Sequence, residues 1–118
     1  MRTTSENGLK AAFIDRLCEI GRYPLKAAGI DILQMNITRH CNLSCKHCHV
    51  QAGPGRKEVM SHDTLLDCIR AARHPGVSVI DVTGGAPELH PELEWLIGEL
   101  AGLKKRLIVR RNLVILLE

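Results

Sequence analysis

Apolar residues in the first twenty positions recur at helical spacing. This stripe predicts one amphipathic helix that ends at Gly21, and the following "RYPLKAAGI" is interpreted as a linker. Residues 1–29 are therefore interpreted as an N-terminal helix with its linker, and residues 30–118 as the folded domain. The stripe consists of Leu9, Phe13, Ile14, Leu17 and Cys18.

From residue 30 onward, short apolar runs alternate with longer helical stripes. The runs predict three strands, in "DILQMNIT", in "VSVIDVT" and at the opening of "RLIVRRNLVILLE". The second run is almost wholly apolar, which is typical of a strand covered on both faces. The helical stripes lie in "SHDTLLDCIRAARHPG" and "HPELEWLIGELAGLKK". The predicted order is helix, strand, long loop, helix, strand, helix, strand.

Both later helices carry recognisable ends. Ser61 is placed to cap the first one, and Pro75 stops it. Pro91 occupies the first turn of the second, and the cations Lys104 and Lys105 suit its carboxyl end. The faces expected to be buried are Leu65, Leu66, Ile69 and Ala72 in the first, and Leu93, Leu96, Ile97, Leu100 and Leu103 in the second.

Alternation of strands and helices predicts an α/β fold with parallel strands and crossover helices. A closed (β/α) barrel takes more than about 200 residues, and "LVILLE" would place an apolar segment at an open sheet edge. We therefore expect the first part of a barrel, truncated after about three parallel strands and preceded by the N-terminal helix. The alternative is a small three-stranded α/β domain that buries its tail in a dimer.

The composition is that of a globular protein: 118 residues, 45% hydrophobic, 25% charged, 3% aromatic, with a net charge of +3. No run of 18 apolar residues predicts a membrane span, and the polar "MRTTSENGLK" differs from a signal peptide. We expect a cytoplasmic protein without a membrane partner. The basic "KKRLIVRR" has no interleaved aromatic residues to stack on bases, so no nucleic-acid partner is expected.

Three cysteines lie close together in "RHCNLSCKHCHV", directly after the first predicted strand. Cys41, Cys45 and Cys48 form C-x3-C-x2-C at the end of a parallel sheet that usually carries the chemistry. Three thiolates in one loop suit an iron–sulfur cubane with one iron left open. The alternatives are a Cys3His zinc site that includes His49 and an iron–sulfur electron carrier, both of them non-catalytic modules.

The cysteine spacing, together with "GGAP" at the end of the second strand, resembles the radical S-adenosylmethionine (SAM) superfamily. The resemblance implies a [4Fe–4S] cluster held by the three cysteines, whose open iron chelates SAM. It also implies reductive cleavage of SAM to a 5′-deoxyadenosyl radical. Because Ala86 replaces the usual motif acid, backbone carbonyls of the Gly-Gly turn are expected to bind the SAM amino group. The residues implied to line the SAM site are His47, Thr83, Gly84, Gly85, Ala86, Pro87 and Asn112.

A longer resemblance covers "LQMNITRHCNLSCKHCHVQAGP", "DVTGGAPELHP" and "RNLVILLE". These strings are similar to the radical SAM proteins of arsenosugar biosynthesis, which implies adenosyl transfer to a trivalent methylated arsenical. The implied partners are this small-molecule substrate and an electron donor such as flavodoxin or ferredoxin. Arg111 departs from that family, because "RRN" stands where "RCN" is expected.

Several polar residues outside the cluster also carry predictions. Asp81 lies inside a predicted strand, so it needs a partner such as Arg110. Glu88 is interpreted as a flanking charge of the third helix, with a stand-in for the missing motif acid as the alternative. Arg111 is expected to face an anion or to be solvated. Cys18 and Cys68 are expected to be buried, and His62, His74 and His90 to be solvated or capping.

Overall fold

A computed structural model describes residues 6–113. Its helices are α1 (Glu6–Glu19), α2 (His62–Ala72) and α3 (Leu93–Ala101), with a short 3₁₀ turn at Pro87–Leu89. Its strands are β1 (Ile32–Asn36), β2 (Val79–Thr83) and β3 (Arg106–Val109).

The three strands form one parallel sheet in the order β1-β2-β3. In the register of the sheet, Gln34 pairs with Asp81, and Asp81 pairs with Ile108. Helices α2 and α3 are the crossovers between successive strands. The predicted α/β class, with three parallel strands after an N-terminal helix, is confirmed, and the open sheet is consistent with part of a barrel.

The core lies between one face of the sheet and the two crossover helices. Ile80 and Val82 of the central strand are fully buried, because α2 and α3 cover the same sheet face. Alternation along β2 directs Asp81 and Thr83 to the opposite face. The remaining core residues are Met35, Ile37, Leu65, Ile69, Ala72, Val77, Leu93, Leu96 and Leu100.

Helix α2 begins as predicted. The Ser61 Oγ accepts a hydrogen bond from the Thr64 N–H at 3.3 Å. Leu66, however, was expected on the buried face and is 38% exposed, because it lies about 100° round the helix from the buried Leu65.

Helix α3 is shorter than predicted. It starts at Leu93 and ends at Ala101, because residues 90–92 form a bend and a turn between the 3₁₀ turn and the helix. Lys104 and Lys105 therefore follow the helix instead of lying in its last turn. The Lys105 Nζ donates to the carbonyl of His74, beyond the end of α2, at 2.6 Å.

Helix α1 ends at the predicted glycine. Gly21 adopts a φ of 66°, and the Arg22 N–H donates to the Leu17 carbonyl at 2.8 Å. The prediction that Cys18 is buried is wrong, because its side of α1 faces solvent. The final apolar run was predicted to lie at an open edge, and residues 114–118 of it lie outside the described residues.

Candidate functional site

The cysteine loop, defined as residues 37–60, leaves the carboxyl end of β1 and returns to the same place. The Met60 N–H donates to the Ile37 carbonyl at 2.8 Å, and Thr38 pairs with Val59 in an antiparallel bridge. A second bridge joins His40 to Gly53 deeper in the loop. The segment with the three cysteines is therefore closed at its base by backbone hydrogen bonds.

The Gly-Gly turn after β2 holds the entry of this loop. The Gly85 N–H donates to the Thr38 carbonyl at 2.7 Å, and the Ala86 N–H donates to the His40 carbonyl at 2.8 Å. Gly84 has a φ of 138°, and a Cβ placed on it would lie 2.6 Å from the Thr38 oxygen. A Cβ on Gly85 would lie 2.4 Å from the His40 oxygen. Both positions require glycine, because the backbone of the loop packs directly against them.

The other predicted residues of this turn lie inside the protein. Thr83 and Ala86 are buried, and so is Pro87 at the start of the 3₁₀ turn. Within residues 6–113, the carbonyls of Gly84 and Gly85 accept no hydrogen bond. The turn thus uses its N–H groups to hold the cysteine loop, while no described group donates a hydrogen bond to the carbonyl oxygens of Gly84 and Gly85.

The three cysteines differ in their surroundings. Cys41 is buried, and its Sγ accepts a hydrogen bond from the Leu43 N–H at 3.5 Å. The Cys48 Sγ accepts one from the Ala52 N–H at 3.3 Å. Cys45 is exposed at the tip, as is the neighbouring His47.

No group of three or more Cys, His, Asp or Glu side chains within residues 6–113 is arranged to hold a metal ion. The three thiols therefore lie in one loop but do not point to a common centre, and the same is true when His49 is counted with them as a fourth ligand. In chemical terms the donor set fits a cluster with three protein ligands. Three thiols lie within residues 41–48, and backbone N–H groups donate to two of them, as is common around iron–sulfur clusters.

Asn112, which follows β3, reaches the same site. Its Nδ2 lies 3.5 Å from the Cys41 Sγ and 2.5 Å from the Asn42 Oδ1. The ends of all three strands therefore contribute to one place: β1 supplies the cysteine loop, β2 the Gly-Gly turn and β3 an amide donor. Asn112 was predicted to line this site, but its contact with Cys41 was not predicted.

The ion pair predicted for Asp81 is confirmed. The Arg110 Nε lies 3.0 Å from both carboxylate oxygens of Asp81, and its Nη2 lies 2.9 Å from Oδ2. These hydrogen bonds, with the charge of Asp81, raise the pKa of Arg110 above its usual value. The pair anchors the chain after β3, immediately before Arg111 and Asn112.

Glu88 does not serve as a solvated flanking charge of α3. Its side chain is 11% exposed, and the Arg111 Nε lies 3.2 Å from its Oε1. This contact is an ion pair without a hydrogen bond. Within the described residues, neither carboxylate oxygen of Glu88 accepts a hydrogen bond. Glu88 and Arg111 thus form a partly buried pair beside the Gly-Gly turn, because the 3₁₀ turn directs Glu88 inward.

His90 is a buried residue at the C-cap of the 3₁₀ turn, so the prediction that it is a capping residue is confirmed. It is 3% exposed, its Nδ1 accepts a hydrogen bond from the Glu92 N–H at 3.0 Å, and its Nε2 lies 2.9 Å from the Met60 carbonyl. Since Nδ1 accepts, Nε2 donates to the Met60 carbonyl, and the ring joins the end of the cysteine loop to the start of α3. His62 and His74 are exposed, and the His74 Nδ1 accepts from the Gly76 N–H.

Cys68 is half-buried rather than fully buried. Burial, with a smaller effect of the Asp67 charge, raises the pKa of its thiol above the usual value.

No helix within the described residues is both long and apolar enough to cross a membrane.

Comparison with known families shows to which family a chain with this cysteine loop and Gly-Gly turn belongs. The sequence profile of the radical SAM superfamily matches residues 35–116, well over half of the chain. The chain belongs to the radical SAM superfamily. The match begins in β1 and includes the cysteine loop, the Gly-Gly turn and Asn112. No solved structure matches the chain.

Curated relatives of this radical SAM chain are enzymes with different names. A GTP 3′,8-cyclase of Aliarcobacter butzleri is 28% identical over 79 residues, which cover 64% of this chain and 24% of the relative. An AdoMet-dependent heme synthase of Oleidesulfovibrio alaskensis is 32% identical over 85 residues, covering 69% of this chain and 21% of the relative. The chain thus spans roughly a quarter of the length of these relatives.

Proposed function

We propose that this chain carries the SAM-cleaving part of a radical SAM enzyme, with Cys41, Cys45 and Cys48 as the ligands of a [4Fe–4S] cluster. The observation that carries the proposal is the meeting of three strand ends at the cysteine loop. Two hydrogen bonds from the Gly-Gly turn hold that loop, and Asn112 contacts Cys41 from the end of β3.

The residues of the chain have distinct roles in this proposal. The free carbonyls of Gly84 and Gly85 accept hydrogen bonds from the amino group of SAM, since Ala86 is buried and offers no acid. Thr83 and Pro87 fix this turn from either side, while His47 on the exposed tip lies against the adenine. Asn112 donates its amide N–H groups at the cysteine side of the site.

When bound and reduced, such a cluster supplies one electron for the cleavage of SAM to methionine and a 5′-deoxyadenosyl radical. The electron comes from a donor protein such as flavodoxin or ferredoxin. The protein contributes by orienting SAM and by holding Cys41 in a buried position away from water.

For the substrate, we propose adenosyl transfer to a trivalent methylated arsenical that carries a hydroxyl group. The C5′–S bond of SAM breaks with release of methionine, and a bond between C5′ and arsenic forms. The electron that cleaved SAM then returns to its donor and the hydroxyl proton goes to water, so that arsenic is oxidised from the trivalent to the pentavalent state. The support is the resemblance of the strings around the cysteines and the Gly-Gly turn to arsenosugar-biosynthesis proteins. The relatives named above are a GTP cyclase and a heme synthase, so they share the family with this chain without indicating this substrate.

The test is anaerobic reconstitution of the chain with iron and sulfide, followed by reduction with dithionite in the presence of SAM. We expect the protein to bind iron and to show the visible absorbance of an iron–sulfur cluster. It should also form 5′-deoxyadenosine, which is measured by mass spectrometry. Cys45→Ala should lose both iron and product, whereas Cys18→Ala, at an exposed thiol on α1, should lose neither. Zinc with no iron would favour a zinc module, and a loaded cluster without product would favour an electron carrier.

The substrate is tested separately. Dimethylarsinous acid is added to the same reaction, and arsenic-containing products are separated by liquid chromatography with elemental detection. A product that contains both arsenic and the deoxyadenosyl group is expected. Formation of 5′-deoxyadenosine alone, at every arsenical concentration, would reject the substrate and leave SAM cleavage established.

A further inference from the structure

Arg39 lies two residues before the first cysteine and makes more long-range contacts than its neighbours in the loop entry. Its Nε donates to the Val50 carbonyl at 2.9 Å. Its Nη2 lies 3.4 Å from the Gln51 Oε1, and its Nη1 lies 3.4 Å from the Glu58 Oε1. One guanidinium therefore reaches three positions, all of them after the last cysteine.

The backbone of Arg39 is bound to the same segment. Its N–H donates to the Glu58 carbonyl at 2.9 Å, and its carbonyl accepts from the Gly53 N–H at 3.1 Å. Arg56 strengthens the arrangement, since its Nη1 lies 3.3 Å from the Glu58 Oε1 and its Nε donates to the Gln51 carbonyl at 3.2 Å. We define these contacts of Arg39 and Arg56 with residues 50–58 as the arginine clamp.

The clamp holds a strained residue. Gln51 has a φ of 52°, which a side chain other than glycine rarely adopts, so the surrounding contacts must stabilise it. Both arginines bind Gln51, one at its side chain and one at its carbonyl. The next residue is Ala52, whose N–H donates to the Cys48 Sγ. The conformation of Gln51 therefore sets the direction of the N–H group that reaches Cys48.

We infer that Arg39 is a positioning residue for the cysteine ligands: it closes the loop before any metal binds and aims the Ala52 N–H at Cys48. The inference rests on the proposed role of the loop as a cluster site. The ion pair with Glu58 alone would contribute little, because both side chains are partly exposed, at 36% and 52%. The effect comes from one rigid donor fork that bonds three acceptors at once.

The first test uses the chain without metal. A short pulse of iodoacetamide is followed by mass spectrometry, which reports alkylation of each cysteine separately. In Arg39→Gln we expect alkylation of Cys48 to rise about tenfold, because loss of charged hydrogen bonds favours local opening. Cys18 and Cys45 are already exposed and should not change, and half-buried Cys68 reports on the rest of the domain.

Two further variants make the result specific. Arg70→Gln is the matched control, since Arg70 also forms an ion pair, with Asp67 on α2, away from the loop. Arg70→Gln should leave the alkylation of Cys48 at the wild-type rate. Arg39→Lys keeps the charge but loses the fork, so its Cys48 should react at a rate between wild type and Arg39→Gln. If Arg39→Gln also raises the alkylation of Cys68, the whole domain has loosened in that variant. The inference then depends on Arg39→Lys, in which Cys48 should be alkylated at the intermediate rate while the alkylation of Cys68 stays at the wild-type rate.

The second test uses the reconstituted protein and the release of iron to bathophenanthroline. We expect release from Arg39→Gln to be about tenfold faster than from wild type, with Arg70→Gln at the wild-type rate. Equal Cys48 alkylation in Arg39→Gln and wild type would overturn the inference. Failure of wild type to take up iron would instead reject the proposed function, while the alkylation result would still decide the role of the clamp.

Discussion

At the scale of single residues, the two glycines after β2 show how a short motif determines the position of a distant loop. Gly84 and Gly85 leave room for the carbonyls of Thr38 and His40, and the turn binds those carbonyls through backbone N–H groups. From the sequence, the role predicted for these two glycines was to let backbone carbonyls bind a ligand. In the structure they are needed first for packing, since the cysteine loop occupies the space that a side chain would take.

Gly85→Ala should therefore destabilise the protein by about 2–4 kcal/mol, because a Cβ would collide with backbone atoms that are hydrogen-bonded in place. Gly98→Ala is the control: Gly98 lies in α3, and a Cβ there meets nothing within 4 Å. That change should stabilise the protein by about 0.5–1 kcal/mol, as alanine favours a helix. Urea unfolding followed by circular dichroism measures both, and equal effects would contradict the packing argument.

Other single residues show which contacts a sequence can predict. The Asp81–Arg110 pair followed from the cost of burying a lone carboxylate in a strand, and the structure contains it. Cys18 was predicted to be buried and is exposed, whereas His90, predicted to be solvated or capping, is a capping residue that is also buried. Their environments depend on tertiary packing around the 3₁₀ turn and α1, which local pattern does not specify.

At the scale of elements, the helix ends with clear local signals were predicted well. Ser61 caps α2 and Gly21 ends α1, because capping and left-handed glycine are local chemistry. The start of α3 was predicted too early, since residues 90–92, whose composition also suits a helix, form a bend and a turn after the 3₁₀ turn at Pro87–Leu89. The location of the cysteine loop was predictable from strand order, whereas its closure by Arg39 and Glu58 was not.

The loop should also depend on pH through Glu58. Hydrogen bonds from the backbone N–H groups of Glu58 and Lys57 lower the pKa of its carboxyl below 4.5, with help from Arg56 and Arg39 and against partial desolvation. A depressed pKa means that the carboxylate stabilises the folded state above about pH 4.5 and loses this effect as the pH falls through its folded value.

Wild type and Glu58→Gln should therefore differ in free energy of unfolding by a constant amount between about pH 5 and 7, with wild type the more stable. The difference should shrink as the pH is lowered below about 4.5, because the carboxylate of wild type is then protonated as well. Urea titrations at several pH values measure it. A difference that stays constant down to about pH 3 would show that the charge of Glu58 does not stabilise the loop.

At the scale of the whole molecule, the sheet has two unlike faces. Helices α2 and α3 cover one face with apolar side chains, and the other presents polar residues of β1 and β2, including Gln34, Asn36 and Asp81. A parallel sheet is usually covered on both faces by apolar side chains. The polar face adjoins the strand ends where the cysteine loop lies, which agrees with a partial barrel whose inner wall is hydrophilic.

Apolar side chains outside the core lead to a prediction about association. Phe13 on α1 and Ile20 after it are 58% and 67% exposed, and Ile30 and Ile32 at the start of β1 are 59% and 58% exposed. Strand β1 also lies at the edge of the described sheet, and it offers unpaired backbone groups beside these side chains. An exposed edge strand with apolar neighbours favours pairing with a second copy.

We expect the chain to self-associate in a concentration-dependent way, measured by sedimentation velocity. Ile32→Lys should weaken association by about tenfold, because a charge on an edge strand opposes pairing. Ala101→Lys adds the same charge at an exposed position at the end of α3, away from β1, and should leave association unchanged. A chain that stays monomeric at all concentrations, or equal effects of the two lysines, would show that the β1 edge is not the surface through which copies meet.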